Sequence, residues 1–156
     1  MQFVTEEVID AMISSFENED DAYDQALLEF TTAQPGITNY LLSEEFDSLT
    51  DDEKEVMLYM CIIIYNSIKN FHPEMPTLTV DEIEDAEDAN WGLLENISEK
   101  KFRDRMNVFF NETPQEDLLA FIEDVLLEEE EIITKEGREP IFVALKSITD
   151  CFQAEL

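Results

Sequence analysis

The feature that most restricts this chain is a run of ten apolar residues, Val56 to Tyr65, placed just behind a helix-start signature. Thr50-Asp51-Asp52-Glu53 reads as a capping box. In such a box the Thr side chain accepts from the amide three residues on, and the Glu carboxylate reaches back to the Thr amide. A bilayer span needs about 20 apolar residues, so the run is too short to cross a membrane and has to be buried in protein. Its β-branched stretch Ile62-Ile63-Ile64 would also suit a strand, but the length of the segment and the cap at its head predict a helix over about 51–71. A helix that is apolar nearly all round belongs at the centre of a bundle.

The same 3.6-residue period recurs on both sides of this segment. Val8, Ile9, Met12, Ile13 and Phe16 share one helical face, and Tyr23, Ala26, Leu27 and Phe30 share another after the polar break Asn18–Asp21. Gln34-Pro35-Gly36 ends the second segment, and a short third helix is expected to hold Ile37, Tyr40 and Leu41. His72-Pro73-Glu74-Met75-Pro76 must be a loop, because two prolines remove two backbone donors. Thr79-Val80-Asp81-Glu82 is a second capping box, opening a helix that reaches Trp91, Leu93 and Leu94. Ser98 is expected to cap a helix carrying Phe102, Met106, Phe109 and Phe110, and Thr113 one carrying Leu118, Leu119, Ile122, Val125 and Leu126. Gly137–Pro140 reads as a turn before a last helix with Ile141, Leu145, Ile148 and Phe152. Alternating strand patterns are absent, and only three glycines are present. The expected fold is therefore all-α: an irregular or orthogonal bundle of seven or eight helices, in a single domain over 1–156. A stacked array of helix pairs is the alternative; the flanks of the Thr-x-x-Glu caps do not match as repeats would.

Charge separates this chain from an ordinary bundle. It carries 39 Asp and Glu against 9 Lys and Arg, for a formal net charge of −30. Residues 1–53 contain 15 acids and no Lys or Arg. Such a field repels phosphate backbones and anionic membrane surfaces, so neither nucleic acid nor membrane is expected as a direct partner. It attracts basic proteins and divalent cations. Cys61 and Cys151 are single cysteines in apolar contexts and read as buried reduced thiols. Met1 to Glu7 shows neither a basic region nor an apolar core of a secretory signal, so a cytoplasmic location is the default expectation.

Catalytic and metal constellations are sparse. His72 is the single histidine, and Lys69 stands three residues before it, which rules out paired Glu-x-x-His ligands. There is no C-x-x-C pair, no Gly-x-Ser-x-Gly elbow, and no glycine-rich phosphate loop, since Gly36, Gly92 and Gly137 are isolated. Glu17-Asn18-Glu19-Asp20-Asp21 is rich in oxygen but lacks the glycine of a calcium loop. No catalytic, cofactor-binding or metal-binding residue is assigned, and no cofactor is expected.

Two charge clusters remain. Lys100-Lys101-Phe102-Arg103-Asp104-Arg105 holds four of the nine basic residues, with Lys101 and Arg105 on one face, and is expected to neutralise neighbouring acidic helices or to offer a docking spot for an acidic group. Asp81, Glu82, Glu84, Asp85, Glu87 and Asp88 are six acids in eight residues, followed by Trp91. These seven are the candidate partner-binding residues. The functional expectation is a non-enzymatic acidic helical module that docks a basic protein, as an inhibitor or immunity-type protein or as a nucleic-acid mimic. The alternatives are a carboxylate-based divalent-cation-binding protein or metal-dependent enzyme, which needs three or more acids converging in one pocket, and a structural homo-oligomer.

A stability prediction follows from the charge alone. Raising NaCl from about 10 mM to about 150 mM shortens the screening length from about 30 Å to about 8 Å. The melting temperature, followed by circular dichroism, is expected to rise over this interval. A flat or falling value would mean that the acids are well paired or widely spread.

Overall fold

Both halves of the Thr50 capping box form. The Glu53 amide donates to Thr50 Oγ1 (3.1 Å) and the Thr50 amide donates to Glu53 Oε1 (2.9 Å). They open α4, Asp51–Lys69, in a computed structural model that describes residues 1–156. Seven more α-helices and one 3-10 turn complete the chain, with no strand. They are α1 (Glu6–Asn18), α2 (Ala22–Ala33), α3 (Pro35–Leu41), the turn Glu44–Phe46, α5 (Val80–Glu95), α6 (Phe102–Phe110), α7 (Glu116–Glu128) and α8 (Lys135–Glu155). The all-α bundle is thus the observed fold, packed as one domain around a single cluster of 35 buried apolar residues. No helix is long and apolar enough to cross a membrane.

As the apolar run requires, α4 is central: Met60 through Tyr65 are buried without interruption. The structure adds a second central helix. In α8 the nine residues Ile141 to Thr149 are all buried, including the polar Lys146, Ser147 and Thr149. The two helices pack against each other. Helices α1 and α2 cover α4, while α5 and α7 cover α8. Burial of α8 on all sides is possible because its polar groups are matched. Lys146 Nζ donates to Asp150 Oδ2 (2.7 Å) and Asn90 Oδ1 (3.0 Å), and Asn90 Nδ2 donates to Ser147 Oγ (2.9 Å) and Asp150 Oδ2 (3.0 Å). Ser147 and Thr149 hydroxyls return to carbonyls one turn back. The Lys146 ammonium also sits 5.0 Å from the centroid of the Phe109 ring. Phe109 in turn stacks on Phe142 at 5.7 Å.

Three helix starts differ from the sequence expectation: at α7 and α8 a side chain makes a long-range bond, and at α6 an arginine bonds the loop before it. Helix α8 begins not after Gly137–Pro140 but at Lys135, behind the N-cap Thr134, whose Oγ1 accepts from the Gly137 amide (3.0 Å). Pro140 lies inside the helix, where it forgoes one backbone bond. The earlier start is held by Glu53, whose Oε2 accepts from both the amide and the hydroxyl of Thr134 (3.0 Å each). Helix α7 begins at Glu116 with Gln115, not Thr113, as its N-cap. The buried Gln115 side chain is drawn inward, accepting from the Val4 amide and donating to the Gln2 carbonyl and to Gln153, while Thr113 Oγ1 accepts from the Gln115 amide. Helix α6 begins at Phe102, past Ser98, because Arg105 donates to the carbonyls of Ile97 and Glu99 (3.1 Å each) and keeps that stretch a loop.

Glu53 is 1% exposed and joins the heads of the two central helices. Burial alone would raise its pKa, but the hydrogen bonds from Thr50 and Thr134 together hold it below the ordinary carboxylate value. Gly137 lies so close that an added Cβ would collide with the Glu53 carboxylate. Replacing Glu53 by Ala removes one capping box and leaves the part-buried amides of Thr50 and Thr134 without their partner. The expected loss is about 3 kcal/mol, or about 6–12 °C in melting temperature. Gly137→Ala alone is expected to destabilise. In the Glu53→Ala background it is expected to be neutral or stabilising, since the obstacle is gone and Ala favours helix by about 1 kcal/mol. A double-mutant cycle by chemical denaturation reads this coupling directly.

Candidate functional site

Helices α1 and α7 lie side by side, and the periodicity of each sets apolar residues toward the seam and acids along its edges. Ile9 and Ile13 of α1 face Ala120, Phe121 and Val125 of α7 across a groove of about 340 Å3. Glu6, Asp10, Asp117, Asp124 and Glu128 line its banks. At Ile13, Phe121 and Val125 it runs into a larger hollow of about 830 Å3, where α2 contributes Tyr23 and Leu27 and α4 contributes Val56, Leu58 and Tyr59. Glu17, Asp52, Glu55, Glu128 and Glu129 rim this second part. Neither part is lined by any Lys, Arg or His. The floor is firm: Phe16, Tyr23 and Tyr59 form an aromatic cluster with centroids 5.3–6.4 Å apart. Burial raises the pKa of both tyrosines, assisted at Tyr59 by the charge of Glu17, so their hydroxyls stay protonated. An apolar trough with acids alone on its rim complements a helix that is apolar on one face and basic at the edges of that face.

The acidic run of α5 divides into separate roles. Asp81, Glu84, Asp85 and Asp88 are exposed and, at spacings of three and four, form one stripe along the helix. Glu82 is occupied as the capping partner of Thr79 (2.9 Å). Glu87 is 7% exposed and accepts from the indole of half-buried Trp91 (3.3 Å). Glu87 also meets the Glu45 carboxyl. Burial, then the hydrogen bond with Glu87, then the charges of Glu87, Glu84 and Asp88 push the Glu45 pKa up to about 8. The buried Tyr40 hydroxyl lies beside the pair, and burial and the Glu87 charge raise its pKa as well.

The basic cluster is partly absorbed by ion pairs. Arg105 forms a two-pronged pair with Glu139 (2.9 and 3.1 Å), and Arg103 reaches Glu123 at 3.4 Å. Lys101 makes no ion pair, so the shared face of Lys101 and Arg105 is not a neutralised unit. No group of three or more His, Cys, Asp or Glu side chains is placed to hold a metal ion, so the convergence that the divalent-cation alternative requires is missing. His72 lies in its expected loop, where Nε2 accepts from the Gln2 amide (3.2 Å). Cys61 and Cys151 are buried and unpaired, with burial pushing each thiol up to about 12.

The groove between α1, α2, α4 and α7 was beyond sequence reasoning, because it is assembled from four faces that each read as an ordinary amphipathic helix. No protein-family model, curated protein or solved structure matches the chain.

The Glu45–Glu87 pair fixes the sign of a pH response. A carboxyl whose pKa is higher in the fold than in the unfolded chain contributes stability that is complete below the unfolded value and is lost as pH rises through the folded one. For Glu45 that window runs from about 4.5 to about 8. Glu53 has the opposite sign, and its contribution is lost as pH falls below the ordinary carboxylate range. The melting temperature is therefore expected to be higher at pH 5 than at pH 8. Glu45→Gln, which can donate to Glu87 at any pH, is expected to raise the value at pH 8 and to flatten the slope. An unchanged slope in this variant would assign the pH response to other acids.

Proposed function

We propose that this chain is a non-enzymatic protein-binding module that seats a basic amphipathic helix of a partner protein in the groove between α1, α2, α4 and α7. The observation that carries the reading is the pairing of an apolar floor with a rim made of acids alone. The floor supplies affinity through apolar burial, and the rim supplies register and a fast encounter with a basic partner. An inhibitor or immunity-type protein would act in this way, by occupying a basic working surface of its target.

One observation favours the nucleic-acid-mimic form of the same function. The exposed stripe Asp81, Glu84, Asp85 and Asp88 places four carboxylates over seven residue steps of α5. At the helical rise this is about 10.5 Å, in steps of about 4.5, 1.5 and 4.5 Å whose mean is about 3.5 Å per charge. The phosphates of one DNA strand advance about 3.4 Å per charge. In this second reading the partner is a DNA-binding protein, and the contact is the stripe rather than the groove.

A synthetic peptide with Leu and Phe on one helical face and Lys and Arg on the other tests the first reading against a scrambled peptide of identical composition. The amphipathic peptide is expected to bind at least about tenfold more tightly, or about 1.4 kcal/mol. The double reversal Glu55→Lys, Glu128→Lys, at exposed rim positions, is expected to remove that advantage. Asp85→Lys, Asp88→Lys is expected to leave it intact. Equal binding of both peptides would reduce the acidic surface to unspecific attraction and overturn the groove reading. Loss of binding in the α5 variant alone would move the site to the stripe.

A further inference from the structure

In a chain with so few cations, their placement is informative. Five of the nine basic residues line one groove of about 510 Å3: Lys100, Lys101 and Arg103 at the head of α6, and Lys135 and Arg138 at the head of α8. Its one acid, Glu139, is already held by Arg105. Arg103 is held at the edge by Glu123. Lys100, Lys101, Lys135 and Arg138 have no carboxylate within 4.0 Å. Acids outnumber cations 39 to 9, so neutralisation of the surface would disperse these four among acidic neighbours. Instead they are gathered where they repel one another. Arg138 adds a second, independent sign. Its Nε is buried and has no hydrogen-bond partner, a donor left unmatched at a cost.

We propose that this groove binds a compact, multiply charged phosphate-type anion. Lysine ammoniums and an arginine fork are the side chains that recognise phosphate oxygens, the first as point charges and the second through directed pairs of N–H donors. The head of α6 contributes in the same sense: its N-cap, Lys101, supplies no side-chain cap, so the first amides of the helix are unmatched beside the cations. Phe102 and Leu127 give the groove an apolar wall. The ligand must be small. The four free cations act over about 8 Å at physiological salt, and beyond that a long polyanion would meet the acidic surface of the rest of the chain. The groove lies on a different flank of α7 from the apolar trough. Glu123 and Leu127 face it, whereas Phe121, Val125 and Glu128 face the trough. The proposal therefore stands apart from the peptide-docking reading.

The test is calorimetric titration of sodium tripolyphosphate into the full chain, with ionic strength held constant by NaCl. Saturable one-to-one binding is expected. The triple variant Lys100→Gln, Lys101→Gln, Lys135→Gln alters exposed positions alone and is expected to weaken binding at least tenfold. Arg138→Gln is expected to weaken it as well, with the fold of both variants checked by circular dichroism. Adenosine triphosphate, titrated in parallel, separates two sources of the same chemistry: equal affinity means that the phosphates alone are read, and higher affinity means that the Phe102 wall also receives a base. Absence of saturable heat from tripolyphosphate, or full binding retained by the triple variant, would overturn the proposal. So would poly-glutamate binding more tightly than tripolyphosphate and being lost in the same variant, since the groove would then belong to an acidic protein segment.

Discussion

A carboxylate buried in a chain that already carries a net charge of −30 has every electrostatic reason to be elsewhere. Glu53 is kept inside because its two oxygens are fully engaged at the heads of both central helices: Oε1 by the Thr50 amide, Oε2 by the amide and hydroxyl of Thr134. The positive ends of α4 and α8 thus share one anion, which is the arrangement that helix dipoles favour. The closeness of Gly137 follows from it, since a side chain there would displace the carboxylate. So does the start of α8, and with it the register in which nine consecutive buried residues meet α4, α5 and α7.

The remaining polar burial is arranged so that few charges are isolated. Lys146 enters the core between α5 and α8 with Asp150 and Asn90 on its ammonium and the Phe109 ring beneath it. At one place two acids meet without a counter-charge: burial, then the contact with Glu87, raise the Glu45 pKa and so favour a proton there. Repulsion among the acids is thereby relieved locally, by hydrogen bonds at Glu53, by a proton at Glu45 and by an ion pair at Lys146, rather than by a general salt-bridge lattice. The three ion pairs of the whole chain bear this out.

What the sequence disclosed, and what it withheld, divides along the range of the interactions. The capping boxes at Thr50 and Thr79 are local, and both form as the residue types require. The apolar run of α4 announces its own burial. The starts of α6, α7 and α8 were misplaced because bonds outside the cap motif decide them: Glu53 takes the Thr134 amide across 81 residues, the Gln115 side chain is drawn to Val4 across 111, and Arg105 ties down the carbonyls of Ile97 and Glu99 in the loop before α6. Burial of α8 on all sides is not legible from the four apolar positions that mark it in the sequence, because Lys146 and Ser147 find their partner in Asn90 of another helix and Thr149 in its own backbone. At the level of the site, the acid run of α5 was plain in composition, but the roles of its members were not. Glu82 and Glu87 belong to the structure, and four carboxylates remain on the stripe.

The two grooves flanking α7 show how one chain can carry surfaces of opposite sign without their cancelling. Screening confines each to roughly a Debye length, while the helix itself separates them: residues four apart share a flank, and those two apart do not. Phe121, Val125 and Glu128 therefore join an apolar trough walled by acids, while Glu123 and Leu127 border a pocket of cations. A ligand in the cationic pocket would complete the buried donor of Arg138 and tie the head of α6 to that of α8. Helix α7 packs on α8 and supplies one wall of the trough, so both surfaces are built on one framework.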